Sequence, residues 1–77
     1  FLPIPVFKCE FGGRVVVKIV VDRKGRVQRA EVVATESQQD DCLHDVAVDA
    51  ALRSRFNEKP GAPALQTGTI TYNFVKQ

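Results

Sequence analysis

Apolar and polar residues alternate along residues 14–22, the segment RVVVKIVVD. Val15, Val17, Ile19 and Val21 fall on one face, while the other face mixes charged and apolar side chains. A period of two is typical of a β-strand with one buried face. The pattern therefore predicts a first strand with one apolar face and a second face that is covered only in part.

A second strand is predicted over residues 27–35, VQRAEVVAT, after a turn, DRKGR, that contains Gly25. Glycine suits this turn because it adopts a positive φ without steric cost. The alternation in the second strand is interrupted, since Val27 is out of phase with Ala30 and Val32. Either Val27 belongs to the turn, or a β-bulge shifts the phase of the strand. Together the two segments predict a β-hairpin.

Apolar residues recur at helical spacing over residues 42–55. Leu43, Val46, Ala47 and Ala50 form one stripe, and most of them are small, as expected for a helix that packs closely on a sheet. The polar loop before this segment ends in two aspartates, and either can cap the free amides of the first helical turn. The pattern therefore predicts a helix with Asp40 or Asp41 as its N-cap. Val48 and Leu52 lie off the apolar stripe, so we expect a second surface of the protein to cover them.

The third strand is predicted within residues 68–77, GTITYNFVKQ. Ile70, Tyr72 and Phe74 fall on one face, and threonine, asparagine and valine fall on the other. A loop with two prolines and a glycine connects the helix to this strand. We expect Tyr72, Phe74 and Phe56, which follows the helix, to contribute to the core.

The order β–β–α–β predicts an α+β fold, a three-stranded antiparallel sheet with one helix packed on one face. Because the helix connects the second strand to the third, the third strand can return beside the first. Both outer strands are then sheet edges. We expect a single domain, with residues 1–12 as an extended N-terminal segment and residues 13–76 as the core.

Composition and charge narrow the possible partners of the chain. The 77 residues carry a net charge of only +2, and the basic residues are scattered rather than clustered, which argues against a nucleic-acid partner. No run approaches the ~20 apolar residues of a membrane span. Since the chain opens on FLPIPVF without an initiator methionine, we expect it to be part of a longer protein with any targeting or anchoring segment upstream.

Cys9 and Cys42 are the two cysteines of the chain. The predicted hairpin brings the start of the first strand and the end of the second to the same end of the sheet, and the cysteines lie just outside these positions. We therefore predict a disulfide between them, which implies an oxidising compartment. Two buried thiols are the alternative that the sequence leaves open.

The segment DDCLHD, residues 40–45, contains the densest group of chemically active side chains. Cys42 and His44 are two residues apart, so on a helix they point in different directions and do not form a nucleophile–base pair. One further cysteine and no further histidine remain to complete a zinc site. We therefore expect no enzymatic activity, no cofactor and no metal, and keep catalysis by Cys42 and His44 as a rival hypothesis.

The backbone of the third strand is the remaining candidate for a site. Its outward residues Thr69 and Thr71 are uncharged, and no lysine or proline protects this edge before Lys76. Such an edge suits strand addition, in which an extended peptide of a partner hydrogen-bonds to the open ladder.

Three segments of the chain together resemble the C-terminal domain of TonB, the energy transducer of Gram-negative bacteria. They are GGRVVVKIVVDRKGRVQRAEVVATES, CLHDVAVDAALRSRFNEKPG and GTITYNF. The family pattern Gly-x-Val-x-Val before a Gly-x-Val turn is met by Gly13, Val15, Val17, Gly25 and Val27. The helix with leucine and alanine that ends in an arginine–aromatic pair is met by Leu43, Ala47, Ala50, Arg55 and Phe56. The resemblance covers about residues 12–76, and its ending and paired cysteines are most similar to the versions in Bacteroides-type bacteria.

The resemblance implies a periplasmic domain of an inner-membrane-anchored protein. Such domains bind the TonB box peptide of outer-membrane transporters, and they transmit energy for nutrient uptake from an ExbB/ExbD-type proton-driven complex of the inner membrane. In the family the peptide adds beside the last strand. Here that strand maps onto Thr69, Ile70, Thr71, Tyr72, Asn73, Phe74 and Val75.

Two features depart from the family pattern. The segment PIPVFKCEF stands where the family often has a short Tyr-Pro-x-x-Ala helix, and the proline that follows the arginine–aromatic pair is delayed to Pro60. A homodimer through the same edge remains open. The alternative function is a sensory or structural TonB-like periplasmic domain attached to another membrane protein.

Overall fold

The structure, a computed structural model, describes residues 9–58 and 60–75. Its elements are strand β1 (Gly13–Asp22), strand β2 (Val27–Val32), a 3-10 turn (Ala34–Glu36), helix α1 (Asp41–Arg53) and strand β3 (Leu65–Phe74). The strands form one antiparallel sheet in the order β2-β1-β3. The predicted α+β class is therefore confirmed. Most of the predicted N-terminal segment, residues 1–8, lies outside the described residues.

The core lies between α1 and one face of the sheet. Val15, Val17 and Ile19 of β1 are buried there, as their alternation predicted. The helix contributes Leu43, Ala47, Ala50 and Ala51, and β3 contributes Tyr72 and Phe74. Because most of the buried helical residues are alanines, the helix lies close to the sheet. Of the two off-stripe residues, Val48 is half-buried, whereas Leu52 is 43% exposed.

The carboxylate of Asp22 holds the β1–β2 turn together. Its Oδ1 accepts hydrogen bonds from the backbone N–H groups of Lys24 and Arg26 at 2.9 and 3.0 Å. Its Oδ2 accepts from the Arg26 and Gln28 side chains at 3.1 and 2.7 Å. The hydrogen bond from the Arg26 backbone is the main cause that lowers the pKa of Asp22 to about 2, and partial burial opposes it. Gly25 completes the turn with φ of +82°.

A β-bulge lies directly after this turn. Val20 pairs with Arg29, but the next residue of β1, Val21, pairs with Val27. Gln28 is therefore the extra residue of β2. Of the two explanations for the phase shift in the second strand, the bulge is the one that the structure confirms.

The predicted extension of the second strand to Thr35 is wrong. β2 ends at Val32 and a 3-10 turn follows. The side chain of Ser37 causes the departure, because its hydroxyl accepts from the Val16 N–H at 2.9 Å and donates to the Val33 carbonyl at 2.7 Å. The Ser37 hydroxyl thus accepts the Val16 N–H that a backbone carbonyl would accept if β2 continued along β1.

The helix ends two residues earlier than predicted. Asp40 caps its start, accepting from the Leu43 N–H at 3.2 Å. At the other end the Ser54 hydroxyl donates to the Ala50 carbonyl at 3.0 Å, and the backbone at Ser54 is already extended. Arg55 then forms an isolated antiparallel bridge with Arg26, the residue just before β2. Pairing with the sheet therefore competes with the last helical turn.

Phe56 does not join the core as predicted. Its side chain is 37% exposed, whereas Tyr72 and Phe74 are only 9% and 6% exposed. The Phe56 N–H donates to the Gly25 carbonyl at 2.8 Å, which fixes Phe56 beside the β1–β2 turn and beyond the end of the helix. The helix therefore does not cover it.

Candidate peptide-binding edge

β3 is the longer of the two edge strands and pairs with β1 along its whole length, from Leu65 with Asp22 to Phe74 with Gly13. It starts before the predicted position 68, so the candidate edge is three residues longer at its beginning. Among residues 9–58 and 60–75, no strand pairs with its outer side. Val75, the last predicted site residue, lies just beyond the end of the strand.

The hydrogen bonds of β1 show which backbone N–H and C=O groups of β3 point to its open edge. The Arg14 carbonyl accepts from the Gln38 N–H, and the Val16 carbonyl accepts from the Val33 N–H. Both residues of β1 therefore direct their backbone groups away from β3. In an antiparallel ladder successive residues alternate in this direction, so Val15 and every second residue after it face β3.

The partners of these residues in β3 are paired with β1. Val15, for example, lies opposite Tyr72. The backbone N–H and C=O groups of Gln66, Gly68, Ile70, Tyr72 and Phe74 consequently point inward to β1. The intervening residues of β3 direct the same groups to the open edge, and they are Leu65, Thr67, Thr69, Thr71 and Asn73.

The side chains of β3 divide in the same way. Ile70, Tyr72 and Phe74 lie on the face that packs toward the helix, and the Tyr72 and Phe74 rings stack with centroids 6.0 Å apart. Thr69, Thr71 and Asn73 lie on the opposite face and are exposed. Residues 65–75 include no charged residue and no proline, so the usual devices that block an edge are absent from this segment.

The other edge strand, β2, is less accessible to an added strand. It has six residues and contains the bulge at Gln28, which bends and twists a strand locally. A bridge between Arg26 and Arg55 lies directly before it, and the exposed side chains of Arg29 and Glu31 form an ion pair at 3.7 Å. Of the two edges, β3 is therefore the one suited to binding a partner.

The Tyr72 side chain anchors β3 to the core and carries a polar group, its hydroxyl, into the interior. Its hydroxyl is buried and makes no hydrogen bond to any described residue. Burial raises the pKa of this phenol, and the nearby Ser54 side chain and the Arg53 charge oppose the rise. The Ser54 hydroxyl donates to the Ala50 carbonyl, and no hydrogen bond between Ser54 and the Tyr72 hydroxyl meets the distance and angle limits.

The predicted disulfide between Cys9 and Cys42 is present, with an S–S distance of 2.08 Å. Cys9 is 1% exposed and belongs to the core cluster. The disulfide links the segment before β1 to the first turn of α1, at the same end of the sheet where β3 finishes opposite Gly13.

The DDCLHD segment has structural roles. Asp40 caps the helix, Cys42 is oxidised, and His44 Nε2 hydrogen-bonds to the Gln38 carbonyl at 2.6 Å. Within the described ranges no three potential metal ligands gather in one place. The thiol that a nucleophilic mechanism would need is consumed in the disulfide.

A cleft of about 350 Å³ lies beside the first half of β3, and the sequence pattern did not predict it. Ile19, Val21, Phe56, Ala62 and Gly68 contribute to its lining, and we call it the Gly68 cleft. The signal that could have revealed it is a glycine in a strand, since such a glycine often marks a close approach of a ligand or another backbone.

The described residues thus form a three-stranded antiparallel sheet backed by one helix and linked by a disulfide, and no described strand covers the outer edge of β3. Comparison with protein families then gives a match over residues 8–75 to the family described as Gram-negative bacterial TonB protein C-terminal. The chain belongs to this family, whose members are non-catalytic, transport-associated periplasmic domains that interact with outer-membrane proteins. Comparisons with curated proteins and with solved structures gave no significant match. No helix in the described part of the chain is long and apolar enough to cross a membrane.

Proposed function

We propose that the domain binds the TonB box, a short peptide of outer-membrane transporters, by strand addition to β3. In this proposal it is the periplasmic end of a TonB-type energy transducer. The transducer is anchored in the inner membrane through a region outside this sequence, and it conveys proton-motive-force energy from an ExbB/ExbD-type complex to nutrient uptake.

The observation that carries the proposal is the row of outward backbone groups along β3. Thr67, Thr69, Thr71 and Asn73 each offer one N–H and one C=O, which is the pattern that an extended peptide needs. These groups stand on a strand that the core holds in place through Tyr72, so the site is formed before the peptide binds. Preorganisation of this kind reduces the entropy cost of binding.

The experiment is a titration of the domain with peptides from transporter N-termini, by calorimetry or NMR, comparing wild type with Thr71→Pro. Proline removes one outward N–H, and on an edge strand it disturbs no bond to β1. We expect affinity to fall about tenfold or more, from the lost hydrogen bond and the steric effect of the ring on the added strand.

Two variants serve as controls for this titration. Thr71→Ala removes the side chain but keeps the amide. Ala30→Pro places proline at an outward amide of β2, since Val33 donates its N–H to Val16 and successive residues alternate in direction. Both are expected to bind like wild type as long as they fold. Equal affinity of folded Thr71→Pro and wild type would refute strand addition at β3, and a loss confined to Ala30→Pro would move the site to β2.

A further inference from the structure

The Gly68 cleft lies on the helix-facing side of the sheet, next to the open edge of β3. Its walls come from separate parts of the chain, with Ile19 and Val21 on β1, Phe56 after the helix and Ala62 in the loop before β3. The cleft opens where the helix no longer covers the sheet. Its volume is within the range of small-ligand sites.

Gly68 is not required by the fold at this position. Its φ is outside the positive region, which among the described glycines only Gly25 occupies. A Cβ atom at Gly68 would have Ile19 Cγ1 as its nearest neighbour at 3.9 Å, an ordinary contact. A glycine inside a strand weakens it. The missing side chain therefore leaves a space that the described part of the chain does not fill.

A strand added to the open edge of β3 would lie beside Gly68, at the border of this space. Thr67 and Thr69 direct their backbone groups to the open edge on either side of Gly68. A peptide residue opposite Gly68 has its side chain on the same face of the sheet as Gly68. Directly opposite side chains lie about 5 Å apart across a pair of strands, so this one would extend over the glycine toward Ile19 and Phe56.

Two walls of the cleft, Phe56 and the loop at Ala62, are held by hydrogen bonds to other parts of the domain. The Phe56 N–H donates to the Gly25 carbonyl at 2.8 Å. On the other side, Arg23 Nε donates to the Ala62 carbonyl at 2.9 Å and holds the loop before β3. Phe56 lines the cleft and is not part of the buried core.

We propose that the Gly68 cleft receives one large apolar side chain, aliphatic or aromatic, of the peptide that adds to β3. The backbone of the edge binds any extended peptide, and the cleft selects among sequences. This inference rests on the strand addition proposed above, and the experiment below separates the two.

The experiment is an alanine scan of one peptide that binds the wild-type domain. One apolar position is expected to lose about 10- to 100-fold in affinity, as burial of one large apolar side chain predicts. The scan is then repeated on Gly68→Val, which fills the cleft, and on Phe56→Ala, which removes a wall. In both variants the loss at that position should shrink toward twofold or less. Gly61→Ala is the matched control, because a Cβ there contacts nothing within 4 Å.

A scan without a dominant apolar position would overturn the inference. So would an undiminished loss at that position in both folded variants. In either case strand addition would stand if Thr71→Pro still weakens the parent peptide. If the parent peptide binds wild type and Thr71→Pro equally well, the proposed function fails, and the inference fails with it.

Discussion

Removal of the disulfide should strongly destabilise this domain. The double substitution Cys9→Ala with Cys42→Ala leaves the strands and helix in place but opens the link between the segment before β1 and α1. The bond spans a sequence separation of 33 residues. Without it the unfolded chain gains the conformational freedom of a loop of that size.

The magnitude follows from the size of this loop. Loop-closure entropy for about 33 residues amounts to roughly 12 cal/mol/K, or about 4 kcal/mol at 25 °C. A domain of 77 residues is expected to have a free energy of unfolding of roughly 4–12 kcal/mol. Loss of the disulfide would therefore remove a third or more of the stability. The buried position of Cys9 adds a small packing loss in the alanine variant.

Urea denaturation followed by circular dichroism measures this effect. We expect the free energy of unfolding to fall by about 3–4 kcal/mol in the double variant. Wild type under reducing conditions is the control, since it keeps both sulfur atoms in the core and should show nearly the same loss. A fall of less than about 1 kcal/mol in both would refute the loop-entropy reasoning.

Three further outcomes are expected. Gly25→Ala should lower the free energy of unfolding by roughly 2 kcal/mol or more, because φ is +82° and the new Cβ would collide with the Phe56 carbonyl. A loss below about 0.5 kcal/mol in thermal or urea unfolding would contradict this prediction. Tyr72→Phe should be neutral or stabilising, since it removes a buried hydroxyl without a partner, and a loss above roughly 1 kcal/mol would indicate a missed hydrogen bond. Because the pKa of Asp22 falls from 3.8 in the unfolded chain to about 2 in the fold, its carboxylate stabilises the fold at pH values above 3.8, and this contribution is lost as pH falls toward about 2. The difference in free energy of unfolding between wild type and Asp22→Asn should therefore shrink over that pH range, and a constant difference would disprove the linkage.

The strands and the helix could be predicted because one face of each is apolar over several periods. The alternation of Val15 to Ile19 and the stripe from Leu43 to Ala50 reflect burial, which dominates folding energetics. The ends of elements depend on single polar contacts instead. β2 ends where the Ser37 hydroxyl bonds to β1, and the helix ends where Arg55 pairs with Arg26. Neither contact produces a periodic pattern in the sequence.

The free amides of β3 could not be predicted from alternation alone. A period of two separates the faces of a strand, but the direction of each N–H depends on how the neighbouring strand is hydrogen-bonded. Only the bonds made by Arg14 and Val16 show that Thr71 and Asn73 both point to the open edge. The Gly68 cleft was missed because the predicted strand began at that glycine, so Thr67 had no place in the ladder.

Hydrogen exchange of the backbone amides on peptide binding tests the central claim most directly. Strand addition predicts that Thr67, Thr69, Thr71 and Asn73 gain protection when a TonB box peptide is added. Ile70, which already pairs with β1, should change little beyond the general gain in stability. Protection gained along β2 or on the helix, with the four outward amides of β3 unchanged, would contradict strand addition at β3.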